Sequence, residues 1–281
     1  HAHKGAVRLS DKDLTLTFLP LTHVFERGWT YLCLATGCTL ALNLKPQDVL
    51  RSLSEVHPTT MCVVPRFWEK VYAGVIERMH KSSPVQRRML EGALRVGHAY
   101  NVEYKMRGLV PPLSLKLQYA FYEKTVIALL LKTLGLERHN FFPTAGAAIS
   151  PKVEEFMRSV GLLLVIGYGM TETTATVTLD RWDKPITIGS VGRLLNGVQL
   201  KFGDNNEILL KGDTITKGYY RKAEVTALAI DEEGWFHTGD AGYMKNGELF
   251  LTDRIKDLFK TSNGKFIAPQ MLESKLCVDR Y

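Results

Sequence analysis

The stretch Val165-Ile166-Gly167-Tyr168-Gly169-Met170-Thr171-Glu172 follows the apolar run Leu162-Leu163-Leu164. It reads as a buried strand that breaks into a loop opened by two glycines. Gly167 and Gly169 are free to take positive φ and to bring the backbone against a flat ligand. Tyr168 offers a ring face to a purine. Thr171 can donate to a phosphate oxygen, and Glu172 can bind Mg²⁺ directly or through water. A plain turn also accounts for the glycines, since the third glycine of a dinucleotide fingerprint is missing. The rest of the chain has to decide between the two.

Downstream, Trp235-Phe236-His237-Thr238-Gly239-Asp240 leads into a strong hairpin signal, Asn246-Gly247 between Ala241–Lys245 and Glu248–Thr252. Pairing outward from that turn sets Lys245 opposite Glu248 and Ala241 opposite Thr252. Asp240 then faces Asp253, close to Arg254. Carboxylates facing each other repel. The arrangement makes sense if one of them accepts both hydroxyls of a ribose while the arginine contacts sugar or phosphate; a surface salt bridge at a hairpin mouth is the alternative. The charged run Asp253–Lys260 precedes a second turn signal, Asn263-Gly264, and reads as an exposed connector or as a hinge to a further domain.

Upstream, Phe141–Ala148 is a strand end opening into small residues, which let a base lie on the main chain or simply allow tight packing. His23, after Leu19-Pro20-Leu21-Thr22, reads as a hydrogen-bonded core histidine. No Ser/His/Asp set, zinc spacing or nucleic-acid module is visible.

The 281 residues suffice for one large or two modest domains, and 45% hydrophobic with 23% charged residues is globular composition. The net charge of +7 favours anionic partners such as nucleotides, coenzymes or acidic membrane surfaces. Cys33, Cys38, Cys62 and Cys277 form no CxxC pair, which points to reduced thiols and a cytoplasmic location. The most apolar window, Val126–Leu131, lies between Lys124 and Lys132 and is too short to span a membrane.

Periodicity predicts a helix over 48–56, a buried strand at 60–64 and a helix opened by Pro65. Further helices follow over about 84–106 and 113–134, broken at Pro111-Pro112. Arg66 to Arg107 carries nine Lys/Arg against four Glu, which reads as a solvated helix surface or as a basic face for anionic lipid at the inner face of a membrane. Beyond residue 140, strand-like runs alternate with glycine turns and helical spacing is lost.

In order, LPLTHVFER (19–27), PTAGAAIS (143–150), GYGMTETTA (167–175), NNEILLKGDTITKGYY (205–220), GWFHTGD (234–240) and LTDRIKDLFKTSNGKFIAPQ (251–270) resemble the motifs of the AMP-forming acyl-adenylate synthetases, most of all the long-chain fatty acyl-CoA synthetases. The resemblance implies an α/β fold: a large N-terminal domain over 1–253, with layered sheets and a β-barrel-like part at about 185–253. The hinge and the start of a small α+β C-terminal domain would occupy 254–281. It implies activation of a fatty acid with ATP and Mg²⁺ to acyl-AMP, then transfer to coenzyme A. Tyr168 would stack on adenine, with Gly146, Ala147, Gly169 and Met170 around the base. Thr171 would hold the α-phosphate, Glu172 the metal, and Asp240 the ribose with help from Arg254. Asp253 to Lys256 would form the hinge, Lys260 would approach the site in one domain orientation, and His23 would lie at the carboxylate end of the acyl pocket.

Nothing in His1–Ser10 matches the family's phosphate loop, and its C-terminal adenylating lysine is also missing. Asn206 stands where the family usually has glycine before Glu207. The expectation is a fragment of a fatty acid–CoA ligase, inactive alone. Two alternatives stay open: a synthetase for a medium-chain or aryl acid, and a truncated non-catalytic nucleotide- or acyl-binding module.

Overall fold

The computed structural model describes His3 and residues 5–255, 259–260 and 266–267. Its first layer is parallel. Strand β1 (Leu14–Thr17) pairs with β2 (Thr39–Leu42) across helix α1 (Val24–Thr36). Helix α2 (Val49–Val56) then leads to the segment 60–64, where a buried strand is expected. Met61, Cys62 and Val63 are fully buried, but only two isolated parallel bridges form, Thr15 to Thr60 and Val63 to Thr144. The segment is therefore an extended spacer that joins two sheets, with too few ladder bonds to be a strand.

The expected helices follow. Pro65 opens α3 (Pro65–Lys81), and Ser83 caps α4 (Pro84–Gly97) through a capping box with Gln86. A π-helical turn, His98–Tyr104, extends α4; another, Glu123–Ile127, joins α5 (Leu113–Tyr122) to α6 (Ala128–Leu134). These helices cover the main core, in which Trp68, Met61, Leu136 and Phe142 are buried. The basic stretch 66–107 carries exposed ion pairs one turn apart, Lys81 with Glu77 and Arg87 with Glu91, as a solvated helix surface does.

Strand β3 (Phe142–Thr144) runs parallel to β4 (Leu164–Met170), and β4 is antiparallel to β5 (Ala175–Leu179). Between β3 and β4 lies a helix where the spacing predicted none, α7 (Pro151–Ser159). Its inner face includes Val153, Phe156 and Met157 together with buried Glu154 and Arg158. Those two charged residues hid the period. They pair at 2.8 Å, and Arg158 also binds Asp180 at 2.9 Å. The ion group thus fastens α7 to the end of β5.

Strand β6 (Arg193–Leu194) closes this sheet. The β-rich stretch that follows is a four-stranded antiparallel meander, ordered β10-β9-β8-β7, of β7 (Val198–Phe202), β8 (Glu207–Gly212), β9 (Phe236–Lys245) and β10 (Glu248–Arg254). One short helix interrupts it, α8 (Ala223–Ala229). Backbone bonds between Leu249 and residues 191 and 192 tie the meander to the neighbouring sheet. Two short strands, β11 (Phe259–Lys260) and β12 (Phe266–Ile267), pair with each other. Cys33, Cys38 and Cys62 are buried free thiols, as expected, while Cys277 lies outside the described residues.

Candidate functional site

The opening stretch does not break into a loop at its glycines. Strand β4 continues through Met170, and neither Gly167 nor Gly169 takes a positive φ. Their necessity is steric. A Cβ at Gly169 would run into the carbonyl oxygen of Ala175, and one at Gly167 would lie 2.9 Å from that of Thr178. The register of β4 against β5 slips between Tyr168 and Gly169, and the two backbones close up there. The turn comes later, as a single helical turn over Thr171–Thr173 pinned by the Thr173 hydroxyl, which accepts from the Met170 amide at 2.9 Å.

Tyr168 is buried, and its hydroxyl donates to Asp240 Oδ2 at 2.7 Å. Burial first, and the adjacent carboxylate second, hold the phenol well above its usual range, so it stays a donor. Asp240 sits in an irregular part of β9. Between Glu207 opposite Ala241 and Leu209 opposite His237, β9 has two residues more than β8. Glu207 gathers this excess: Oε1 accepts the Gly239 amide at 2.9 Å and Oε2 lies 3.0 Å from His237 Nδ1. The Thr238 hydroxyl donates to the Ile208 carbonyl at 2.8 Å, fixing the loop from the other side.

The hairpin turn forms at Asn246-Gly247, both at positive φ as a tight hairpin turn requires, with Lys245 opposite Glu248 as expected. The mouth differs from expectation. After Leu251 opposite Gly242, the next partners are Asp253 with Ala241 and Arg254 with Asp240. Thr252 is an extra residue, a bulge, which moves every later residue by one place. Asp240 therefore faces a cation rather than a second carboxylate, with Arg254 Nε 3.5 Å from Asp240 Oδ1.

Glu172, the candidate metal ligand, is half-buried and clamped to the segment 214–219. The Tyr219 hydroxyl donates to Glu172 Oε1 at 2.9 Å, and the Thr216 amide donates to the Glu172 carbonyl at 2.7 Å. The Thr174 hydroxyl donates to the Thr214 carbonyl at 2.7 Å. Burial, then the Glu172 carboxylate, raise the Tyr219 phenol. Thr171 is exposed beside Glu172. No group of three His, Cys, Asp or Glu that could hold a metal occurs among the described residues. The oxygen donors here suit Mg²⁺, and one carboxylate is enough if substrate phosphates supply further ligands.

Behind β4 and β5 lies an apolar cavity of ≈ 130 Å³. Phe25, Gly28, Trp29 and Leu32 of α1 form one wall, and Gly167 with Ala175 form part of the other. The Trp29 indole is fixed by donating to Thr15 Oγ1 at 3.0 Å. His3 enters the cavity and contacts Thr176 Oγ1 at 2.6 Å. His23 is not among the lining residues, and it is no core histidine either: it is exposed at the N-cap of α1, two residues before Phe25. Gly146 and Ala147 form an exposed loop after β3, whose Ala145 lines the cavity.

The structure thus brings Tyr168, Asp240 and Arg254 together, and places Gly169, Met170, Thr171 and Glu172 at the adjoining strand end. Lys256 lies outside the described residues; Lys260 falls in β11, opposite Phe266. Sequence reasoning gave no role to Glu207, Tyr219 or the α1 wall. Tyr219 lay inside the quoted TKGYY motif and Glu207 inside NNEILL, so position was visible while partner was not.

The family model for AMP-binding enzymes matches residues 1–220. Long chain acyl-CoA synthetase 7, peroxisomal, of Arabidopsis thaliana is 30% identical over 93% of this chain and 38% of its own length. Long-chain-fatty-acid–CoA ligase 1 of Schizosaccharomyces pombe is 29% identical over 97% of this chain and 42% of its own. The chain therefore spans less than half the length of these relatives. Among solved structures, O-succinylbenzoate coenzyme A synthetase from Bacillus subtilis, in complex with ATP and magnesium ion, superposes with a TM-score of 0.66 at 21% identity, over 98% of this chain and 48% of that one. The A domain of carboxylic acid reductase from Segniliparus rugosus, in complex with AMP and a co-purified carboxylic acid, gives 0.65 at 25%, over 95% and 38%. These neighbours bear out the expected acyl-adenylate synthetase-like α/β fold.

Proposed function

Because the chain belongs to the AMP-binding enzyme family, we propose that its protein activates long-chain fatty acids with ATP to acyl-AMP and passes the acyl group to coenzyme A. The observation that carries this reading is the placement of an apolar cavity directly against β4 and β5, where β4 carries Tyr168, bonded to Asp240 of β9, and runs on into Glu172. At ≈ 130 Å³ the cavity would take the first few carbons of an apolar tail, and a polar reacting end would emerge where carboxylates and hydroxyls converge.

In this reading Asp240 accepts the ribose hydroxyls, oriented by the Tyr168 hydroxyl and balanced by Arg254. Thr171 donates to the α-phosphate, and Gly146, Ala147, Gly169 and Met170 surround the base. Glu172 holds Mg²⁺, whose charge offsets that developing on the phosphoryl oxygens. Tyr219 takes one Glu172 oxygen and so fixes the direction of the carboxylate. The α1 wall keeps water from the acyl side of the mixed anhydride. His23, at the N-cap of α1, would meet the acyl carboxylate. The hinge at Asp253–Lys256 and the approach of Lys260 belong to the same proposal.

The test is pyrophosphate release by the full-length protein across a chain-length series. Palmitate-length acids should stimulate release and octanoate less. Absence of fatty-acid-dependent release would overturn the reading, and preference for aryl or medium-chain acids would move the substrate.

A further inference from the structure

Helices α5 and α6, with Leu109 and Val110 in the loop just before α5, present an apolar outer surface that the core does not use. Leu109, Val110, Leu113, Leu117, Phe121 and Leu129 are each more than half exposed, Val110 to 79%. The opposite face already anchors the helices. Tyr119 is buried and stacks on Tyr100 at 4.1 Å, while Ile127 and Leu131 enter the main core. A helix apolar on both sides ordinarily lies inside a protein or against a partner.

The charge around this face is one-sided. Residues 105–132 contain five Lys/Arg and a single acid, Glu123. Arg107, Lys116, Lys124 and Lys132 are exposed, and no ion pair joins any of them among the described residues. The helical run from Leu113 to Leu134 is about 33 Å long at 1.5 Å per residue. No helix among the described residues is long and apolar enough to cross a membrane. Leucines and a phenylalanine beside unpaired lysines, on a helix held flat by its other face, match what an anionic bilayer surface requires: apolar groups for the acyl boundary and cations for the headgroups.

We propose that the outer face of α5 and α6, from Leu109 to Leu129, docks this protein on an anionic lipid surface. The helices lie in the interface and do not insert across it. Lysine stems lie along the apolar strip while their ammonium groups reach headgroup phosphates. This docking goes beyond the proposed ligase activity and stands whether or not that activity is found.

The experiment is flotation of the full-length protein with phosphatidylcholine vesicles, with and without phosphatidylglycerol. Binding is expected with phosphatidylglycerol and should fall as salt is raised. The double variant Leu117→Glu/Phe121→Glu should lower vesicle affinity by roughly tenfold or more, and Lys116→Glu/Lys124→Glu should remove the preference for anionic lipid. All four positions are exposed, and an unchanged melting temperature would certify the fold. Failure of the full-length protein to bind overturns the proposal. So does binding that both double variants retain, since another surface would then be responsible. A shift from dimer to monomer in Leu117→Glu/Phe121→Glu without any vesicle binding overturns it in favour of a second copy.

Discussion

The Tyr168 hydroxyl donates to Asp240 across two sheets, at 2.7 Å, and this one bond couples the strand end of β4 to the loop of β9. Tyr168→Phe should leave the fold intact and weaken AMP binding by about tenfold, the scale of one hydrogen bond to a charged group. Asp240→Ala should weaken it further. Calorimetric titration of the full-length protein with AMP measures both; equal affinity in Tyr168→Phe would show that the hydroxyl does not orient the carboxylate.

The Tyr219 hydroxyl plays the matching part for Glu172. Tyr219→Phe should raise the Mg²⁺ concentration for half-maximal activity by roughly fivefold, about 1 kcal/mol, with little change in kcat. Mn²⁺ binding followed by paramagnetic resonance gives a readout free of turnover and should weaken in parallel.

Gly28 faces Ala175 across the cavity, with room for one more carbon: an added Cβ would sit 3.6 Å from that of Ala175. Gly28→Ala should therefore fold and narrow the cavity. Relative kcat/KM should move toward shorter acids, and an unchanged chain-length profile would place the acyl tail elsewhere. Gly169→Ala is different in kind, because its Cβ would meet the Ala175 backbone. It should cost about 1–3 kcal/mol or more, read as a lowered melting temperature.

Glu26 is fully buried, and neither carboxylate oxygen has a hydrogen-bond partner. Burial raises its pKa from 4.5 to about 7; the Leu19 amide and Thr17 hydroxyl lie near the carboxylate but outside hydrogen-bonding geometry, and they offset only part of that cost. The folded state then holds a proton that the unfolded chain has released. Stability is greatest below the ordinary pKa and is lost as pH rises toward 7, by about 3 kcal/mol in all. Glu26→Gln should flatten that decline, melting above the parent at about pH 8 and close to it at about pH 4. Thermal melts across that range decide it.

The turn at Asn246-Gly247, the helix at Pro65 and the grouping of Asp240 with Arg254 were all legible, because each rests on local chemistry: turn propensity, a fixed φ, residues adjacent in one hairpin. The fold class was legible from six ordered motifs. Three features were not. The bulge at Thr252 has no local signature and reverses the facing of Asp240. Helix α7 was masked because Glu154 and Arg158 neutralise each other inside the core, so that its inner face looked polar. The clamp on Glu172 joins residues 47 positions apart, a distance no spacing rule spans.

The bulge at Thr252 is a spare residue whose place outside the ladder sets which side chain meets Asp240. Deleting Thr252 would leave a regular ladder with Asp253 still opposite Ala241 and Arg254 still opposite Asp240, whereas drawing Thr252 into the ladder would slide Asp253 opposite Asp240. Many substitutions at 252 keep the count and hence the pairing. A one-residue deletion there keeps it as well, because it removes only the residue that has no partner across the hairpin.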